Sequence, residues 1–381
     1  MELTKCKLGE LITQRREKND GSDLPICGVS KDGLIPPKQI DADTSIYNVF
    51  YRDDFIFNPA RMELNSIAIN DKYDRAICSS LYEVFYVHRT DLLLPHFLKL
   101  IVKQPWFTRY CEFLGQGSAR EYCRFNNISE IEIEFPSLEE QEKIVNQYSA
   151  IQNRIFIKKQ INDNLLSQAQ TYFGLIFADK DTEKRLPQGW KVAKVGDYCV
   201  DNIANLSKTD TFESILYLDT GSITSNYIVE LQELNLQTDE IPSRAKRKVA
   251  HGDIIYSTVR PNLKHYGLLQ NPPDNLIVST GFAVLHNKET EVTNDFLFMW
   301  LTNESILDYL QAIAENSVST YPSLNVSDLM NIKIIVPDTD TLKKITRFLS
   351  SVFTAISENN KQIQMLTQSL DTLLPKLLSS R

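Results

Sequence analysis

No stretch of the 381-residue chain approaches the roughly 18 consecutive apolar residues that a membrane-crossing helix requires. The opening "MELTKCKLGEL" lacks the apolar block of a signal peptide, so a cytoplasmic protein is expected. Six cysteines (Cys6, Cys27, Cys78, Cys111, Cys123, Cys199) include no C-x-x-C pair, which leaves buried, reduced thiols as their plain reading. The histidines (His88, His96, His251, His265, His286) show no metal-ligand spacing. A G-x-x-x-x-G-K-[ST] loop is missing, and with it any ATP site of that class. Positive charge is also short: the formal net charge is −8, which counts mildly against a nucleic-acid partner.

What is present is a sentence written twice. "DDFIFNPARMEL" (53–64) and "GDIIYSTVRPNL" (252–263) align Asp54, Phe55, Ile56, Phe57 and Arg61 with Asp253, Ile254, Ile255, Tyr256 and Arg260, a constant step of 199 residues (54 to 253, 61 to 260). The match extends outward in both directions. "CKLGELI" (6–12) resembles "AKVGDYC" (193–199), and "LPICGVS" (24–30) lies over "LYLDTGS" (216–222). "AICSSLYEVF" (76–85) lies over "LIVSTGFAVL" (276–285). Ser118 and Tyr122 fall on Ser317 and Tyr321, and "NISEIEIEFP" parallels "NVSDLMNIKIIVP" with Pro136 on Pro337. A unit of about 190 to 200 residues is repeated, as an internal duplication would leave it.

The end of each unit is the most regular part. Ile144, Tyr148, Ile151, Ile155, Lys158, Asn162, Leu165, Ala169, Tyr172 and Ile176 step alternately by four and three. The second copy gives Ile345, Leu349, Val352, Ile356, Asn359, Ile363, Leu366, Leu370, Leu373 and Leu377. A 3.5-residue apolar repeat keeps one stripe facing a partner helix, so these are coiled-coil seams on helices of about 34 residues, roughly 50 Å long. Polar residues at Lys158, Asn162 and Asn359 cost stability on such a seam and fix its register. Packing of each helix on its own domain is the simpler alternative.

Short runs rich in β-branched and aromatic residues ("FIFN", "SIAI", "EVFYV", "IEIEF", "DIIYSTV", "FAVLH", "IKIIV") predict strands. "PHFLKLIVKQPWFTRYC" and "TNDFLFMWLTNESILDYLQAI" predict helices. The polar stretch "DKDTEKRLPQGW" (179–190) marks a domain boundary. The expected class is α+β: two homologous mixed α/β domains, 1–138 and 181–340, each followed by a long helix, 139–180 and 341–381. Two such helices most simply pair antiparallel, relating the copies by an approximate two-fold. Paired surfaces of that kind suit duplex DNA, whose half-sites lie about one helical turn, ~34 Å, or a multiple apart.

The segments "LPQGWKVAKVGDYC", "HGDIIYSTVR", "NISEIEIEFPSLEEQEKIV" and "SLDTLLPKLL" resemble, in order and across essentially the whole chain, the specificity subunits of Type I restriction–modification systems. The resemblance implies a non-catalytic chain whose two target-recognition domains each read half of a split site on double-stranded DNA. It implies helices that space the domains and dock two methyltransferase subunits, with nuclease/translocase subunits joining outside. S-adenosylmethionine, ATP and Mg then belong to the partner subunits, and this chain binds no cofactor and no metal. Two departures stand out. The first copy lacks the "LPxGW" lead-in, and "DTDTLKKI" replaces "SLEEQEKI" in the second.

Enzyme-like motifs carry little. "YLDTGS" resembles an aspartic protease loop, but that chemistry needs two carboxylates, and copy one offers Cys27 opposite Asp219. "FLGQG" and "NPPD" sit in opposite copies, and the second lacks the aromatic that would stack on a flipped base. For DNA contact, residues common to both copies should serve what the halves share, and base readers should differ. Arg61 and Arg260 recur and suit phosphate contact or an internal ion pair. Tyr122 and Tyr321 recur and suit sugar contact or core anchoring. Arg120 and Arg124 in copy one, and Lys246, Arg247, Lys248 and Lys264 in copy two, are the base-reading candidates, since arginine and lysine donate to guanine. "RAKRK" also reads as a solvated loop. A coiled-coil scaffold that organises protein partners without touching DNA is the alternative function.

Overall fold

A computed structural model describes residues 3–37, 40, 43–115, 122–178, 186–207, 209–288, 290–317 and 322–378. By internal contacts the chain divides into two units, Met1–Phe156 with Met365–Arg381, and Ile157–Gln364.

In the first unit the strands are β1 (Thr4–Lys7), β2 (Ile12–Arg15), β3 (Ile26–Ser30), β4 (Gly33–Ile35), β5 (Asn48–Tyr51), β6 (Phe55–Phe57), β7 (Ile67–Ile69), β8 (Arg75–Cys78) and β9 (Glu83–Val87). Helices α1 (Pro95–Val102), α2 (Pro105–Gly115) and α3 (Phe125–Ser129) precede β10 (Glu132–Phe135), and α4 (Leu138–Phe177) follows. β1 pairs antiparallel with β10, and two four-stranded sheets run β2-β9-β6-β7 and β4-β3-β8-β5.

The second unit repeats this plan. β11 (Lys191–Lys194), α5 (Val195–Tyr198), β12 (Cys199–Asp201) and β13 (Ser214–Leu218) lead to a hairpin of β14 (Ile223–Thr224) and β15 (Tyr227–Ile228). Then come β16 (Gln232–Asn235), β17 (Ala245–Lys248), β18 (Ile254–Ser257), β19 (Tyr266–Leu268), β20 (Leu276–Ser279) and β21 (Phe282–Asn287). Helices α6 (Asn294–Leu301), α7 (Glu304–Glu315) and α8 (Val326–Met330), strand β22 (Lys333–Val336) and α9 (Thr339–Leu378) complete the repeat, with α4 from Ile157 on counted in the second unit and α9 from Met365 on in the first. Its sheets run β12-β21-β18-β19 and β16-β13-β20-β17, the same orders as in the first unit. One pair in each unit is parallel, β3 with β8 and β13 with β20. No described helix is long and apolar enough to cross a membrane.

The repeated sentence is a repeated turn. Asp53 (φ 66) and Gly252 (φ 81) both take left-handed backbone just before β6 and β18, as do Asn65 (φ 51) and Lys264 (φ 55) at the end of the 3-10 turn that follows each strand. Asp54 accepts the amide of Tyr51 at 2.8 Å, and Asp253 accepts that of Ala250 at 2.7 Å. These carboxylates cap the turn into β6 and β18, whose apolar residues are wholly buried. Phe55 stacks on Phe85 at 5.0 Å in one core, and Tyr256 on Tyr266 at 5.6 Å in the other. Gly9 and Gly196 recur for another reason. A Cβ at Gly9 would lie 2.9 Å from Ser129 Cβ, and one at Gly196 would lie 3.1 Å from the Met330 carbonyl, so each lets the end of a short helix approach.

Three sequence expectations shift. Each long predicted helix is two helices: Pro105 opens α2 and cannot continue α1, and Asn303 caps α7 by accepting the Ser305 amide at 3.0 Å. The strand facing Asp219 slides by one. Cys27 pairs with Cys78 and Leu218 with Val278, so the counterpart of Asp219 is Gly28 rather than Cys27; a single carboxylate remains. The stripe on α4 also drifts. Ile144 and Ile155 are buried, and Tyr148, Ile151 and Leu165 half-buried, but beyond Ala169 the buried residues are Phe173 and Phe177, while Tyr172 is 36% exposed. An undistorted helix drifts about 20° per heptad against a 3.5 repeat, so four heptads move the stripe by nearly one residue.

Within the second unit the two long helices meet in opposite directions. Lys158 Nζ donates to Asn359 Oδ1 at 3.2 Å, Asn359 Nδ2 to Asn162 Oδ1 at 2.9 Å, and Asn162 Nδ2 to Asn360 Oδ1 at 2.8 Å. Farther along, the Tyr172 and Phe348 rings lie 4.6 Å apart. Ala169, Phe173 and Phe177 share a core with Ile345, Leu349, Val352 and Ile356. In the first unit Ile144 is buried in the domain core, with Tyr148 against it. Near the end of α9, Leu366 is half-buried and Leu370 buried.

Candidate nucleic-acid interface

A cleft of about 1210 Å³ opens in the first unit, and it gathers three of the residues singled out by sequence: Arg61, Tyr122 and Arg124. Arg61 sits exposed on a 3-10 turn, Pro59–Leu64, whose Asn58 cap accepts the Ala60 amide at 3.1 Å. Lys31, from the β3–β4 turn, lines the same cleft. Lys103 braces this wall from beneath: its Nζ donates to the carbonyls of Lys31 at 2.7 Å and Ile67 at 2.8 Å, and to Asn65 Oδ1 at 2.9 Å. Burial pushes that ammonium down to about 8.

Arg124 stands just before α3, where its amide donates to Asn127 Oδ1 at 2.9 Å. Its guanidinium lies 3.7 Å from Glu83 and 5.6 Å from the centre of the Tyr122 ring. Glu83 was missed by the sequence reading, which considered cations and tyrosines but no carboxylate. The signal was available: at this position, which opens a strand in a repeated segment, the other copy has Ala283.

The remaining candidates scatter. Arg260 occupies the loop position of Arg61 but with left-handed backbone (φ 50 against −140), and its amide donates to the Pro322 carbonyl at 3.0 Å. Lys246 is exposed. Arg247 turns inward onto Asn202 Oδ1 and the carbonyl of Phe282, and its burial opposes its charge. The equivalent carbonyl of the first unit, Tyr82, is taken by Asn48 at 2.7 Å, so the place of Arg247 is a fixed internal one. Lys248 pairs with Asp210, which that hydrogen bond holds below the usual carboxylate range. Lys264 pairs with Glu304 at 2.7 Å. Arg120 and Tyr321 lie outside the described residues. Cys123 donates to the Pro59 carbonyl as Leu324 does to that of Thr258, which sets Ser323, not Tyr321, in register with Tyr122. Among the described residues no group of three or more His, Cys, Asp or Glu side chains gathers as a metal site.

Two copies of one fold, each with its own set of charged side chains, frame the comparison with known proteins. Residues 5–167 and 187–368 match the Type I restriction modification DNA specificity domain, twice over. The chain belongs to that family. Over 184 residues it is 28% identical to the Type I restriction enzyme HindI specificity subunit of Haemophilus influenzae, covering 48% of this chain and 39% of that one. Over 323 residues it is 25% identical to the Type I restriction enzyme MjaIX specificity subunit of Methanocaldococcus jannaschii, covering 76% and 69%. A crystal structure of a Type-I restriction-modification system S subunit from M. genitalium shares the fold, with a TM-score of 0.59 at 16% identity over 99% of this chain and 96% of that one.

Proposed function

We propose that this chain is the DNA sequence-recognition subunit of a Type I restriction–modification complex, each copy of the fold reading one half of a split site. Duplication carries the reading: the family match occurs twice, and the copies keep their strand orders and the left-handed positions at Asp53/Gly252 and Asn65/Lys264 while exchanging charged residues around them. Shared residues then serve the frame, and differing residues suit two unequal half-sites.

In this reading the target-recognition domains are 1–138 and 181–340, and the spacer helices are 139–180 and 341–381. The helices pair as an antiparallel coiled coil that relates the copies by an approximate two-fold; the Lys158, Asn162, Asn359 and Asn360 contacts support it. Two methyltransferase subunits dock on the spacer, nuclease/translocase subunits join outside, and the assembly works in the cytoplasm on double-stranded DNA. The chain supplies no catalytic group and holds no cofactor; the partners bring S-adenosylmethionine, ATP and Mg. With a net charge of −8, it leaves much of the phosphate neutralisation to those partners, so alone it binds DNA weakly.

Mapping methylated bases in cells that carry this chain with its methyltransferase partner tests the proposal. A bipartite motif is expected. A protein-organising scaffold would yield no motif that depends on this chain.

A further inference from the structure

Resting on that reading, we propose that Glu83 is a positioning residue that aims Arg124 at a guanine in the half-site read by the first unit. The side chain of Arg124 is 65% exposed at the cleft, whereas that of Glu83 is only 15% exposed. The Glu83 carboxylate is held on its other side. Oε2 accepts the Phe125 amide at 2.7 Å and Gln14 Nε2 at 3.3 Å, leaving Oε1 toward the guanidinium. Tyr122 supplies a ring face to the same guanidinium, and Asn127 holds the Arg124 backbone. Main chain and side chain are thus both restrained before any ligand arrives.

An arginine restrained this way loses little freedom on making two parallel hydrogen bonds. Guanine offers the matching pair of acceptors, O6 and N7, on its major-groove edge. A carboxylate beside the DNA opposes phosphate binding, so Glu83 works for selectivity at the expense of general affinity. The second unit gives independent support. At the backbone positions of Glu83, Tyr122 and Arg124 it carries Ala283, Ser323 and Asn325. All three parts of the device are replaced together on a frame that is otherwise kept. That is the pattern expected of a reader belonging to one half-site.

The test uses the chain assembled with its methyltransferase partner. Methylated sites are mapped, and binding is measured to duplexes in which each base of the motif is replaced singly. Arg124→Ala and Glu83→Gln are expected to lower discrimination at the same first-half guanine by roughly 5- to 150-fold. Glutamine keeps the acceptor for Phe125 but not the charge, so Glu83→Gln should also bind a motif-free duplex more tightly. Discrimination in the second half should not change, which serves as the folding control. No guanine in the first half, unaltered discrimination there, or equal losses in both halves would overturn the assignment. Absence of any motif with the unmodified chain would instead sink the recognition reading, and this assignment with it.

Discussion

A buried aspartate closes the same turn in both copies, yet Asp54 meets a guanidinium and Asp253 an imidazole. Arg15 grips Asp54 through Nε at 2.6 Å and Nη2 at 3.0 Å, and lies between the rings of Tyr51 and Tyr86; His286 Nδ1 stands 2.7 Å from Asp253. Removing one partner of a buried pair strands the other, so Arg15→Met should destabilise the first unit by roughly 3–5 kcal/mol in urea unfolding, with Asp54→Asn recovering part of the loss. Lys103 makes a second residue-scale case. Its folded value falls to about 8 from an ordinary 10.5, so between those limits the folded chain binds fewer protons than the unfolded one. Stability therefore gains from this group as pH rises through that window. The difference in unfolding free energy between the native chain and Lys103→Met should grow in favour of the native chain from pH 7.5 to pH 10. At Gly9 the space argument is direct: Gly9→Ala pushes a methyl against Ser129 and should cost about 1–3 kcal/mol in the same measurement.

At the scale of elements, the polar layer of Lys158, Asn162, Asn359 and Asn360 crosses the contact between α4 and α9 in the second unit. Such layers fix register at a cost in stability. The double substitution Asn162→Leu with Asn359→Leu should raise the thermal midpoint of the assembled chain, and a fall would show the layer to be a net stabiliser. The seam itself was legible because its period is long and regular. Its last turns were not, because the difference between 3.5 and 3.6 residues per turn accumulates until Phe173 replaces Tyr172. Strands such as Phe55–Phe57 and Glu83–Val87 announced themselves through β-branched and aromatic runs. The break before Pro105 was written in the sequence and overridden by apolar periodicity on both sides of it. The one-residue slip at Cys27 has a different origin. Similar residues align equally well in either register, and only the pairing with β8 fixes it.

At the scale of the whole molecule, the duplication told more about function than any single motif. It also showed which residues to compare. It could not show which cations face outward: Arg247 and Lys248 stand side by side in "RAKRK", but internal partners hold both, while Arg124 reaches the cleft. Solvation and pairing decide that, and neither is local in sequence. The central claim is that each copy reads its own half of one site, and exchanging residues 1–138 for the corresponding domain of another recogniser tests it most directly. Methylated sites would be mapped with the hybrid and the native chain side by side. A new first half joined to an unchanged second half is expected; a motif that stays whole, or one that changes in both halves, would show that the copies do not read separate halves.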